Sequence, residues 1–241
     1  MYPSAALVNQ AQRRFDRRFY LGASLVFLAL VFWTFARSYY LRALFDSRPL
    51  TPLLHVHAAV MTGWVVLLAV QSGLIAARRV QWHRWVGTFG AVWAVFVVAM
   101  GSTMTVLAAA REVHRHSAQA PVQVMIMGLE LVQMLLFAGL VVAAIWLRRR
   151  TDWHKRLMLL TIACMLPSAL ARLPVAFMSN AVILAGCDLF ILASVGIDSL
   201  RNRRLHPAFG RGGSAVFVAI NLMFFAVQTP AWVEFATRLV S

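Results

Sequence analysis

Lysine is almost missing from this chain: of the 23 basic side chains among its 241 residues only Lys155 is a lysine. A retinal Schiff base on the last helix is thereby excluded, and rhodopsin-like function with it. Cysteine is nearly as scarce. Cys164 and Cys187 both fall within apolar runs, which excludes a disulfide framework and leaves the two thiols as packing residues. Acidic residues number 8. No glycine-rich phosphate loop, nucleophile elbow or His-Glu-x-x-His zinc motif occurs, so ATP-driven transport and the common hydrolases have no support. Long polar stretches are lacking too, and what fills the chain instead is hydrocarbon. Hydrophobic residues make up 61% against 13% charged, with a mean hydropathy of +0.73, more than a soluble core of this size hides. Lipid is the expected solvent.

A membrane span needs about 20 mostly apolar residues, and seven windows approach that: 20–36, 54–77, 82–109, 121–147, 154–178, 181–199 and 214–237. The first window begins near Tyr20 and has no small-residue cleavage site after it, so it reads as a helix and not as a cleaved signal. The net charge of +15 lies in short arginine clusters between apolar runs. No continuous basic face forms for nucleic acid, and the clusters read as topology anchors against anionic headgroups. Counted over alternate loops, 16 basic residues fall on one side (Arg13, Arg14, Arg17 and Arg18 at the start, Arg148 to Arg150 midway, for example) and 7 on the other. The positive-inside rule then puts the N-terminus in the cytoplasm and the C-terminus outside. The expectation is an all-α integral protein of the bacterial inner membrane: a basic cytoplasmic segment over 1–19 and one seven-helix membrane domain over 20–241. Thr151 or Asp152, and more weakly Gln81, are the expected helix N-caps, and Pro167 and Pro174 are expected to bend the fifth helix.

One internal repeat stands out. Arg78-Arg79-Val80-Gln81-Trp82-His83-Arg84 aligns with Arg149-Arg150-Thr151-Asp152-Trp153-His154-Lys155, each residue displaced by 71 positions. Both copies end one hydrophobic helix and start the next, so helices 2–3 and 4–5 read as one hairpin duplicated (about 54–109 and 121–178), together forming a four-helix core. If His83 and His154 turn inward, they are the two neutral imidazoles that a bis-histidine haem b requires, with Arg79, Arg84 and Arg156 beside them for the propionates. The same residues also suit an interfacial belt, with indoles at headgroup level and cations snorkelling outward.

Toward the other face, His55 and His57 open helix 2. Positions i and i+2 diverge by about 200° on a helix, and His57 shares its face with Met61 and Trp64. Glu130 on helix 4 lies about 13 Å in from the outer end at 1.5 Å per residue, and an intramembrane carboxyl is a functional candidate by default. Arg172 and Asp188 fall at similar depths and are expected as a structural ion pair. Met61, Met100, Met104, Met125 and Met127 gather near His55, His57, His114 and His116, a donor set that suits copper(I) as well as plain packing. His114, His116 and His206 are expected to be solvated.

His57, Gln71, Arg78, His83, Arg84, Gly87 and the run His154-Lys155-Arg156-Leu157-Met158 resemble a group of uncharacterised bacterial multi-pass membrane proteins with His-Arg-x-x-Gly and His-Lys-Arg-Leu-Met motifs, over about residues 50–175. More distantly the layout is similar to the cytochrome b561 core, in which histidines on alternating helices hold one haem near each face. That resemblance implies His83 and His154 as the inner pair. The outer pair departs from it, because adding 71 to His55 and His57 lands on Ile126 and Gly128, so a single haem is implied. Three functions follow as expectations. The first is a haem b redox protein, with His57 and Glu130 serving a quinone or small acceptor. The second is a cofactor-free accessory or assembly subunit of a larger membrane complex, and the third is a copper-handling protein with His55 and His57 at an outer metal.

Overall fold

A computed structural model describes residues 5–45, 49–173 and 179–241, with side chains from residue 12 onward. Among the described residues the chain is helical and has no strand. Eight α-helices follow one another: α1 (Ala5–Phe35), α2 (Pro52–Ala76), α3 (Val80–His114), α4 (Ala120–Trp146), α5 (Thr151–Leu170), α6 (Asn180–Asn202), α7 (Ser214–Ala226) and α8 (Pro230–Val240). Among the described residues six segments are long and apolar enough to cross a membrane: Gln12–Tyr40, Pro52–Ala76, Val80–His114, Ala120–Trp146, Asn180–Asn202 and Phe209–Ala226. The fifth sequence window reaches past the described residues; its described part, α5, is not among them, because Asp152, His154, Lys155 and Arg156 crowd its first two turns.

The window expected at 214–237 is two pieces. Helical turns begin at Pro207, pass through a π-helical segment at Phe209–Gly213 and run to Ala226; a new helix then starts at Pro230. Pro230 has no N–H to continue the ladder, and the Thr229 hydroxyl accepts from the Trp232 backbone N–H at 3.3 Å, so the chain re-caps here. With 11 residues, α8 rises only about 16 Å, half of a bilayer's hydrocarbon thickness.

Arginine takes the place of glycine where α2 ends. Arg78 has φ 61°, the Arg79 N–H donates to Leu74 O at 2.8 Å, and the Arg78 N–H donates to Ile75 O at 3.1 Å, a Schellman closure. Side chains at positive φ are strained, but a cation at a helix C-terminus meets the negative end of the dipole. His116 closes α3 the same way, with φ 49°. The expected caps are corrected: Arg150 is the N-cap of α5 without a side-chain bond, and Gln81 already lies inside α3. Pro167 sits inside α5, while Pro174 lies outside the described residues.

The chain forms two compact units, Met1–Trp93 and Ala94–Ser241. In the first, α1 packs on α2, and α2 meets the start of α3 through small residues, as membrane helices do. The Trp93 indole donates to Val60 O at 2.9 Å and lies where a Cβ on Gly63 would stand 2.7 Å away. Leu67 sits equally close over Gly90. In the second unit α5 touches α4, α6, α7 and the π segment. Ten of its 20 residues are buried, so neighbouring helices, not lipid, surround it, and its polar first turns are tolerated. Gly212 and Gly213 bring the π segment against Leu157, Leu160 and Ile191.

Candidate functional site

The start of α5, the end of α6 and the π segment meet at the arginine-rich end of the second unit. Arg156 is 3% exposed and Asp198 5%, which makes this a buried ion pair. Arg156 Nε donates to Asp198 Oδ2 at 3.0 Å and Nη2 to Oδ1 at 2.7 Å, the two-pronged geometry that a guanidinium offers a carboxylate. Its Nη1 donates to Asp152 O at 2.8 Å, and the Phe209 ring lies 5.8 Å from the guanidinium carbon. Lys155 reaches the Asp152 carboxylate at 3.3 Å. Arg156 thus joins α5 to α6, and its donors are taken by protein partners where the sequence pointed to haem propionates.

His206 joins the same cluster and is not solvated as expected. Its Nδ1 accepts from the Ala208 backbone N–H at 3.1 Å, so with Pro207 following it serves as the N-cap of the seventh helical segment. Its ring meets Trp153 edge-on, with centroids 5.7 Å apart. Burial, followed by the field of Arg156, holds the His206 pKa below the ordinary histidine value, with Asp152 and Asp198 pulling the other way and Arg204 adding to the depression. A histidine depressed in the folded state takes up a proton more readily when unfolded. Its contribution to stability is therefore intact above about pH 6.5 and is lost as pH falls through the window below. The thermal midpoint in detergent should drop between pH 7.5 and 5.5. His206→Asn keeps an N-capping oxygen but cannot titrate, so its curve should be flatter; parallel curves for the two proteins would refute the assignment.

His154 stands one turn from Arg150, half-buried. Its Nδ1 is 2.9 Å from Ala144 O. A carbonyl only accepts, so Nδ1 is the donor in this bond. This is the arrangement in which ligating histidines are usually fixed, with the second nitrogen donating to a carbonyl or carboxylate. His83 belongs to the first unit, half-buried, with Arg79 and Arg84 exposed near it in sequence.

The remaining candidates are spread over both units. In the first, a π-helical turn at Ala36–Tyr40 sets Tyr39 OH 3.2 Å from His55 Nδ1 and Tyr40 OH 2.6 Å from Thr62 Oγ1, while His57 is half-buried one turn before Met61. Among the described residues, no three His, Cys, Asp or Glu side chains stand together as a metal group. In the second unit, Asp188 accepts from the Asn221 amide at 3.1 and 3.3 Å. Arg172 donates to Ser168 O at 2.7 Å, and its acidic neighbour is Glu130. Sequence reading missed Asp198 as the partner of Arg156; the signal was there in their matching distances from one end of consecutive antiparallel helices.

No protein-family model, curated protein or solved structure matches the chain.

Proposed function

We propose that the chain is a redox protein of a bacterial inner membrane that binds haem b near the arginine-rich face. It crosses the bilayer seven times, with its N-terminus in the cytoplasm, its C-terminus outside and α2–α3 and α4–α5 as copies of one hairpin. The observation that supports this best is His154, whose Nδ1 is tied to the Ala144 carbonyl, the kind of second bond that orients a ligating imidazole. His83 enters as the second imidazole on the sequence repeat alone. Arg84, exposed beside it, is the cation assigned to a propionate; Arg156 is not, being committed to Asp198. Bound haem would supply one-electron chemistry. This chain's residues orient the imidazole and supply the cations, and Glu130 and His57 are the groups assigned to the proton that accompanies reduction of a quinone or small acceptor.

The test is optical. Protein purified from a host rich in haem should show a Soret band and a reduced α-band, and His154→Ala should lose both while keeping its helical content. Colourless wild-type protein ends this reading. A second reading is an accessory subunit without a cofactor, supported by the way Asp152, Lys155, Arg156 and Asp198 satisfy one another. Isolation at fixed stoichiometry with other membrane proteins, and without pigment, would favour it.

A further inference from the structure

One face at the start of α3 is left open. Trp82 is 62% exposed, Trp85 73% and Phe89 57%, and together with Gln81 and Val86 they line a shallow groove. Positions 82, 85, 86 and 89 follow the i, i+3, i+4, i+7 spacing of one helical stripe. Val92 extends it, 56% exposed. The turn leading into this stripe carries Arg78 and Arg79, both exposed. No Asp or Glu occurs in the sequence between Asp46 and Glu112, so nothing within α2 or α3 up to that point neutralises the two cations. Aromatic side chains with a polar edge, an apolar track below them and two exposed cations above match one kind of molecule.

We infer that this groove holds an anionic diacyl phospholipid, with its phosphate against Arg78 and Arg79 and an acyl chain along Trp82, Trp85 and Phe89. Indoles suit the position, being flat, apolar over most of their area and able to donate one hydrogen bond at headgroup level. Charge complementarity selects the headgroup, since each arginine close to an anionic lipid surface contributes about 1 kcal/mol, a factor of about five. The assignment does not rest on haem binding and uses neither His83 nor Arg84.

The full chain in neutral detergent, titrated with phosphatidylglycerol or with phosphatidylcholine of identical acyl chains, would be read by native mass spectrometry. Phosphatidylglycerol should be retained in preference, and Arg78→Gln and Arg79→Gln should each lower that preference about fivefold. Trp82→Ser with Trp85→Ser should reduce retention of both lipids and leave their ratio unchanged, and Arg148→Gln and Arg149→Gln taken singly, each an equal loss of charge elsewhere, should leave it unchanged too. Equal retention of the two lipids by the wild type overturns the proposal, as does a ratio that survives both Arg78→Gln and Arg79→Gln or falls equally in the Arg148 and Arg149 controls. Displacement by free glycerol phosphate would show a headgroup site without an acyl track, and a co-purifying protein that shuts out both lipids would show a protein interface; either result also overturns it. If a variant fails to fold, tryptophan quenching of the wild type by brominated phosphatidylglycerol and phosphatidylcholine in vesicles decides: stronger quenching by the former supports the site, and equal quenching ends it.

Discussion

Asp198→Ala should destabilise the protein by about 3–5 kcal/mol, the range for removing one partner of a buried ion pair. The reason lies in what stays behind. Arg156 is 3% exposed and cannot swing into water without dragging the first turns of α5 out of contact with α6 and Phe209. With the carboxylate gone, Nε and Nη2 lose their acceptors, and what remains is the bond from Nη1 to Asp152 O and the exposed Asp152 carboxylate 3.9 Å from Nη1. Asp198→Asn should cost less, because the amide oxygen still accepts one of the two bonds. Pairing Asp198→Leu with Arg156→Met should recover most of the loss, because well-packed apolar residues often replace a buried pair at little cost. Reversible unfolding of all four proteins in one detergent gives the comparison. If Asp198→Ala falls within about 1 kcal/mol of the wild type, the pair behaves like a solvated one and the burial argument fails.

The same pair shows how much of this protein was legible in its sequence. Hydropathy found the windows because lipid-facing length is a local property, and the arginine turns closing α2 and α4 announced two tight hairpins. Arg156 and Asp198 were visible as polar residues near one end of their helices, but which cation meets which carboxylate is set by the azimuth of each helix, and that is a packing outcome. Arg172 makes the point from the other side: depth alone matched it to Asp188, and neither the nearby Glu130 carboxylate nor the Asn221 amide that donates to Asp188 was visible from depth. The break between α7 and α8 was written in Thr229-Pro230, yet an average over 20 residues smooths out a two-residue signal. His206-Pro207 carried an N-cap signature of the same kind. Gly63 gave no local hint of its role, because the indole that needs its missing side chain comes from Trp93, on the next helix.

Gly128→Val should cost about 2–3 kcal/mol, near the upper end for overpacking a filled core. Gly128 lies on α4 where α7 hands over to α8. A Cβ added there would stand 2.5 Å from the Trp232 ring and 2.8 Å from both the Met223 and Val227 side chains. The methionine tip can yield, but the indole cannot easily do so, because its Nε1 donates to Val124 O at 3.2 Å. That bond holds α8 where Ala236 and Val240 join Ala109, Val113, Val124 and Met127 in one buried cluster. Pushing Trp232 aside therefore lifts a whole short helix, one too short to hold its own conformation in isolation. The loss should be local before it is global. Backbone amides of residues 231–240 should exchange hydrogen faster in the variant while those of α5 keep their protection. Gly128→Ala should show the same pattern with a smaller amplitude. Trp232→Leu, which removes the obstacle and the indole bond together, should restore part of the packing when combined with Gly128→Val. If protection in α8 is unchanged by Gly128→Val, then α4 does not hold α8 through this glycine and the small residue has another cause.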